Sequence, residues 1–310
     1  MLNIPQINAE HAGKNLNWTL ILDAIEDGHR KEKAVIGDTF LNRNTDTLLS
    51  RSAWIDGVGF GVKSVSVMPN NSQYNLASIH GAMLIFDDKT GVPIALMDSD
   101  LVTKWKTAGD SVLGARLLAR PESENLLIIG AGTVAENLIH AYSEIFPNLS
   151  HISIWNRTQS RAEELANKLN LQGFDIKIEI DLPKAVSNAD IISTATMARE
   201  PILFGDWVTA GTHIDLIGAF KADMREADDD LLKKARIFVD SRDTTLKHIG
   251  ELMIPLSKGI ISESDILGDF YDLVKGASGR LNSNDITVFK NGGGAHLDLM
   301  TAMAMLDNLA

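Results

Sequence analysis

The part of the chain that most limits its fold is residues 126–138, where the apolar run Leu126 to Ile129 leads directly into Gly130-Ala131-Gly132-Thr133-Val134-Ala135. A strand apolar on both faces suits the interior of a parallel sheet. Val134, Leu138, Ala141, Tyr142 and Ile145 then recur at helical spacing. Gly130, Gly132 and Ala135 have the G-x-G-x-x-G/A spacing. A side chain at the second glycine would keep a pyrophosphate from the free N–H groups at the helix start. In this strand-turn-helix setting the spacing predicts a dinucleotide site over 130–135 in preference to a merely tight turn.

The same rhythm continues downstream. Short apolar runs at 151–155, 174–178, 190–193, 213–217, 236–239 and 286–290 are of strand length. Ala162, Leu165, Ala166 and Leu169 mark a helix between the first two of these. Alternation of this kind predicts an α/β Rossmann dinucleotide-binding domain with a doubly wound parallel sheet. The first hundred residues differ: 59–68, 79–86 and 92–98 are β-rich, and Asp87 to Gly91 carry turn chemistry. They predict an antiparallel or mixed sheet in a separate α+β domain. A helical pattern over 103–119 leads into the Rossmann part, and a closing helix over 295–309 is expected to return to the first domain. The expected division is 1–114 with 291–310 against 115–290.

Charge and composition narrow the partners. Lys and Arg number 29 and Asp and Glu 41, a net charge of −12. A field of that sign repels nucleic-acid phosphates and anionic lipid, and no basic stretch offsets it, so neither nucleic acid nor membrane is expected as a partner. The chain has no Cys, which removes disulfides, thiolate metal sites and Cys nucleophiles together. Its eight His residues are scattered, without an H-x-x-x-H pair, so no metal is expected. The G-x-S-x-G elbow of serine hydrolases is missing as well. The opening residues lack the basic and apolar regions of a leader, and no apolar run approaches bilayer length, so a soluble cytoplasmic protein is expected. Asp228, Asp229 and Asp230 suit the start of a helix, where they complement its dipole.

After the second Rossmann strand, NAD sites usually place an acidic residue on the ribose hydroxyls. Here the chain reads Asn156, Arg157 and Thr158. Arg157 can offer a planar fork to a 2′-phosphate, flanked by two hydrogen-bonding neighbours, which favours NADPH and leaves NADH as the alternative cofactor. The competing reading is an Arg that begins a solvated helix. Thr194, Ala195 and Thr196 fall at the carboxyl edge of the sheet, where the nicotinamide half would pass; a plain turn explains them equally.

Several blocks in fixed order resemble the ornithine cyclodeaminase/μ-crystallin family: GVKSVSVMPNN (61–71), TGVPIALMDSDLVTKWKTAGDSVLGARLLARP (90–121), LLIIGAGTVAENL, ISIWNRT (152–158), EPILFGDWVTAGTHIDLIGAF (200–220), MREADDDLL (224–232), VDSRD (239–243) and ITVFKNGGGAHLDLMTA (286–302). The resemblance implies an N-terminal substrate-binding and dimerisation domain, a Rossmann domain and a homodimer. It also implies one of three activities: ornithine cyclodeamination, alanine dehydrogenation, or reduction of cyclic imino acids. In the first two groups an acidic residue follows the fifth Rossmann strand and faces the substrate amine. Here that position is Phe220. A phenyl ring neither takes a proton nor activates water, whereas hydride delivery to a cyclic iminium needs such a base less. Residues 212–229 look most like the reductases of Δ1-pyrroline-2-carboxylate. The expectation is therefore NAD(P)H-dependent reduction of that small cyclic imino acid to L-proline, extending to Δ1-piperideine-2-carboxylate and L-pipecolate. A cyclodeaminase-type lyase and a μ-crystallin-like ligand binder are the alternatives. Asp215 and Asp223 stand nearby as substitute acids.

The resemblance also assigns site residues. Lys63 matches the family's substrate-binding lysine, and alternation sets it beside Val65 and Val67 on an inward face, where a lysine is costly without an anion. Lys106 stands where many relatives carry Arg; it fits a carboxylate contact or an ordinary helix surface. Phe220 would wall the substrate ring. His80 is expected to face the same cleft, as a proton donor or as a satisfied core histidine. Asn291 and Gly292 match the family's loop near the nicotinamide, although the glycines at 292–294 also suit a flexible helix entry. Arg51 does not align cleanly with the family's upstream arginine and is set aside.

Overall fold

Two sheets account for every strand of the computed structural model, which describes residues 4–10 and 16–309. The first holds β1 (Gln6–Ile7), β2 (Val35–Arg43), β3 (Asp46–Ile55), β4 (Gly59–Val67), β5 (Ile79–Phe86) and β6 (Pro93–Asp98). The second holds β7 (Asn125–Ile129), β8 (His151–Trp155), β9 (Ile176–Ile178), β10 (Ile191–Thr194), β11 (His213–Leu216), β12 (Arg236–Val239), β13 (Ile266–Gly268) and β14 (Thr287–Lys290). The helices are α1 (Trp18–Arg30), α2 (Ser99–Leu118), α3 (Thr133–Ile145), α4 (Gln159–Asn170), α5 (Leu182–Asn188), α6 (Asp229–Lys234), α7 (Arg242–Thr245), α8 (Gly250–Ser257), α9 (Phe270–Leu273) and α10 (Ala295–Asp307). By contacts the chain divides into two units: residues to Gly109 together with those from Gly294, and Asp110 to Gly293. The sequence expectation set these limits at 114 and 290, so the first falls inside α2 in both cases.

In the first unit the strands run β1-β6-β5-β4-β3-β2, antiparallel except for the parallel pair β1 and β6, so the sheet is mixed. One face buries Ala53, Ile55, Met83, Ile85, Ala95 and Met97. Helix α10 packs on β3 and β4 and against α1. The Asn17 side chain caps α1 by accepting from Leu20 N at 2.8 Å, and the helix buries Trp18, Ile21, Leu22 and Ile25.

The second sheet is parallel throughout, in the order β13-β12-β14-β11-β10-β7-β8-β9. From β7 the chain winds outward through β8 and β9, then crosses to β10 and β11 on the other side. The order therefore reverses between β7 and β10, and ligands of such sheets bind at the carboxyl end of that reversal. Helix α3 buries Ala135, Leu138, Ala141 and Tyr142, and α4 buries Ala162, Leu165, Ala166 and Leu169, the stripe read from its spacing. The core between these layers contains Leu127, Ile129, Ile192, Ile214, Leu216 and Val288, each aliphatic side chain contributing roughly 1.5–3 kcal/mol by burial. The acidic run sits at the start of α6 as its charge suggests, and Asp228 also caps the helix, accepting from Leu231 N at 2.9 Å. Among the described residues no helix is long and apolar enough to cross a membrane.

Candidate functional site

Residues assigned to a dinucleotide fall in the second unit, and those assigned to a substrate anion mainly in the first. Gly130 follows β7 with φ +130°, and a Cβ there would lie 2.5 Å from the Ala195 carbonyl oxygen. The turn is thus pressed against the end of β10, and only glycine fits. Gly132 differs. Its backbone is extended, a Cβ on it would meet nothing within 4 Å, and no side chain caps the N–H groups of α3 that follow. Gly132 and Thr133 are exposed, Ala131 and Val134 half-buried, and Ala135 fully buried against the sheet. An open cradle over uncapped N–H groups fits a pyrophosphate.

Beside this turn, β8 ends at Trp155, whose carbonyl accepts from Gly130 N at 2.9 Å. Asn156, Arg157 and Thr158 follow at once. Asn156 Nδ2 donates to Thr158 O at 2.8 Å and fixes the turn, and Arg157 is exposed. On the other side of β7 lie Thr194, buried at the end of β10, and the half-buried Ala195 and Thr196. Asn291 follows β14 and is buried, yet neither its Oδ1 nor its Nδ2 has a hydrogen-bond partner among the described residues. A buried amide rarely stays unpaired, so this one fits a polar ligand. Gly292 N and Gly293 N donate to Asp240 Oδ2 at 2.8 and 2.5 Å. The glycines lead into α10, whose N-cap is Gly294, and these two hydrogen bonds tie their backbone to Asp240.

Phe220 lies beyond β11, 52% exposed, with the Lys221 ammonium 5.4 Å from its ring centroid. Neither substitute acid takes its place. Asp215 is fully buried within β11, where it accepts from Ser193 Oγ at 2.5 Å. Burial pushes its carboxyl up to about 7, against the opposing pull of the Ser193 and Ser111 hydroxyls. Asp223 is on the surface, paired with Arg199 at 2.9 Å.

In the first unit the structure puts Lys63 on the inward face of β4, 9% exposed. Its Nζ donates to Asp298 Oδ1 at 2.5 Å and lies 3.5 Å from Thr103 Oγ1. Burial holds the Lys63 ammonium below the usual lysine value; Asp298 opposes that shift, while the charges of Lys106 and Arg51 add to it. Lys106 is half-buried on α2. Arg51, set aside from sequence, pairs directly with Lys63 in the β3–β4 register, so the two share a face. Its guanidinium meets Asp38 at 2.8 Å. Arg51 was set aside because it does not align cleanly with the family's arginine, and Asp298 was missed because α10 reads as apolar.

His80 requires a correction. It is exposed, and in the β4–β5 register it pairs with Ser66, whereas Lys63 pairs with Met83. Paired residues share a face and neighbours alternate, so His80 projects from the side opposite Lys63. The expectation of a shared face fails by one residue of register. No group of three or more His, Asp or Glu side chains suited to a metal occurs among the described residues.

Comparison with known proteins adds to this geometry. The chain is 54% identical over 288 residues to a Δ1-pyrroline-2-carboxylate reductase of Paracoccus denitrificans, covering 93% of this chain and 91% of that protein. It superposes on a Thermococcus litoralis Δ1-pyrroline-2-carboxylate reductase, solved with NADH and L-proline, with a TM-score of 0.89 and 29% identity, over 98% of this chain and 97% of that one. An archaeal alanine dehydrogenase dimer with bound NAD gives the same TM-score at 27% identity, over 98% of this chain and 95% of that one. A family model matches residues 53–310, and with strands ordered as those of a doubly wound nucleotide binder, the chain belongs to the ornithine cyclodeaminase/mu-crystallin family.

Proposed function

We propose that the chain is an NAD(P)H-dependent reductase of cyclic imino acids that converts Δ1-pyrroline-2-carboxylate to L-proline. Its six-membered homologue Δ1-piperideine-2-carboxylate, reduced to L-pipecolate, is the natural second substrate. The observation that carries the proposal is the buried Lys63 ammonium, which shares a sheet face with Arg51, pairs with Asp298 of α10 and feels the charge of Lys106 on α2. Asp298 offsets the burial of Lys63, and the further positive charges of Arg51 and Lys106 acting at the same point suit a small carboxylate. Similarity to the two pyrroline-2-carboxylate reductases supports the same substrate.

Gly130 to Ala135 and the start of α3 would hold the pyrophosphate, Asn156, Arg157 and Thr158 the adenosine end, and Thr194 to Thr196 with Asn291 and Gly292 the nicotinamide half. The Arg157 fork suits the 2′-phosphate of NADPH, with NADH as the alternative. When bound, the reduced nicotinamide supplies the hydride that joins C2 of the imine. Lys63 and Lys106 bind the substrate carboxylate and fix the orientation of the C=N bond. Lys63 holds a proton at Nζ, and we assign it the proton that the imine nitrogen takes up, so that C=N becomes CH–NH. Phe220 supplies an apolar wall and no base, which favours reduction over ammonia loss. We also propose a homodimer joined through the outer face of the first sheet.

The test is the oxidation of NADPH, followed at 340 nm, with the five- and six-membered imines as substrates. One proline formed per NADPH consumed is expected. Absence of turnover with either imine, together with ammonia release from ornithine, would overturn the proposal.

A further inference from the structure

On the reductase assignment above, we infer that Glu226 is a positioning residue that holds the nicotinamide end of the cofactor site in shape. It lies in the segment between β11 and α6 and is fully buried. Its Oε1 accepts from Thr196 N at 2.9 Å and Thr196 Oγ1 at 2.6 Å. Its Oε2 accepts from Thr194 Oγ1 at 2.7 Å, Gly218 N at 2.7 Å and Ala219 N at 3.2 Å. Five donors from the ends of two neighbouring strands therefore converge on one carboxylate. Such an arrangement offsets the cost of burying the charge and leaves the two loops no independent freedom.

The surroundings are closed in the same way. A Cβ on Gly218 would lie 2.3 Å from Thr196 N and 2.4 Å from Glu226 Oε1, and one on Gly130 would lie 2.5 Å from Ala195 O. The ends of β7, β10 and β11 thus interlock around Thr194 to Thr196. The backbone of Glu226 is held in turn: Glu226 N and Ala227 N donate to Glu251 at 2.7 and 3.0 Å. Lys290, fully buried, donates to Leu216 O and Asn291 O at 2.7 Å each and acts electrostatically on both glutamates. Stability alone does not call for this network, because well-packed apolar side chains serve a core as well as buried ion pairs. Its position, at the carboxyl end of the strand-order reversal, is where a doubly wound sheet receives its ligand. Loops tied from below to a buried carboxylate keep a fixed upper surface for the nicotinamide.

The experiment compares NADPH with 2′-phospho-ADP-ribose, which keeps the adenosine and diphosphate groups but lacks nicotinamide. Each is titrated by calorimetry into the full-length wild type, Glu226→Gln and Thr196→Val, with melting temperature as the check on folding. A Gln keeps one acceptor oxygen and turns an NH2 group toward donors. For Glu226→Gln we expect NADPH affinity to fall at least about tenfold and imine turnover roughly 10- to 100-fold, while the fragment binds within about twofold of wild type. Thr196→Val, which removes one of the five donors and keeps the backbone, should show the same split at about threefold, and it carries the comparison if Glu226→Gln does not fold. Equal loss of both ligands, or no loss of NADPH, would overturn the positioning role alone. A wild type that binds neither ligand would overturn the reductase assignment with it.

Discussion

Lys63 serves two opposing demands, since burial that sharpens its attraction for a carboxylate also makes its positive charge harder to keep. The result is an ammonium that deprotonates below the ordinary value of 10.5, with Asp298 limiting the fall. Because the folded-state value is lowered, the charged form is lost as pH rises earlier than for a solvated lysine. Imine kcat/KM should therefore fall on the alkaline side with an inflection below 10.5. Asp298→Asn, by removing the group that opposes the shift, should move that inflection to still lower pH. Lys63→Met should remove it and lower kcat/KM by roughly 30-fold or more, as loss of a buried charge partner worth about 2–5 kcal/mol implies. Its affinity for NADPH should stay as in wild type. An inflection that ignores Asp298→Asn would remove Lys63 from the proton-transfer role. Lys63 was legible because period-two alternation decides the face of a strand once its ends are known. Arg51 and His80 were not, because each depends on pairing with a neighbouring strand, and the pattern of one strand does not state its register.

At the level of elements, the glycine turn contains two glycines present for different physical reasons. Gly130 is required by the fold: φ is +130° and the Ala195 carbonyl lies 2.5 Å from any added Cβ. Gly132 is not, since its backbone suits any residue and the space above it is open. Gly130→Ala should lower the melting temperature by several degrees, as strain of about 1–3 kcal/mol implies. Gly132→Ala should melt within about 1–2 °C of wild type yet bind NADPH at least about tenfold more weakly, because its methyl group occupies the pyrophosphate's place. Scanning fluorimetry and a binding titration separate the two effects; a Gly132→Ala protein that binds like wild type would remove the cradle from the cofactor site. Strands β7, β8, β10, β11, β12 and β14 were legible because buried parallel strands are short apolar runs, and α3 and α4 because they carry clear stripes; the shorter α5, α7, α8 and α9 carry none that was read. The long hairpin β2–β3 was not: β2 is exposed along nearly all its length, so burial imposes no alternation for a reader to find. β13, at only three residues, is too short to show a period.

For the whole molecule, the outer face of the first sheet carries the last expectation. Register places Val35 with Trp54 and Leu41 with Leu48 on one side, and these residues are 74%, 46%, 61% and 42% exposed respectively. Trp54 stacks on Phe60 at 4.3 Å, and Phe60 on Phe86 at 5.0 Å, so an aromatic row crosses the Val35–Trp54 end of this face. Exposed apolar and aromatic side chains at the two ends of this face, with Thr39, Ser50 and Ser52 between them, match the mix of aromatic anchors and polar groups found at protein interfaces. A second copy of the chain is the occupant we assign, in keeping with the dimeric alanine dehydrogenase that shares the fold. A stable pair needs about 800 Å² from each partner, an area within reach of a sheet of six strands. Light scattering after gel filtration should give twice the chain mass of 33.8 kDa. The double variant Trp54→Glu with Leu48→Glu should give the single mass, since two buried carboxylates without partners would face each other across the pair. Both residues are exposed within one chain, so the variant should keep its fold and its circular dichroism. A wild type that runs as a monomer at micromolar concentration would overturn the assignment of this face.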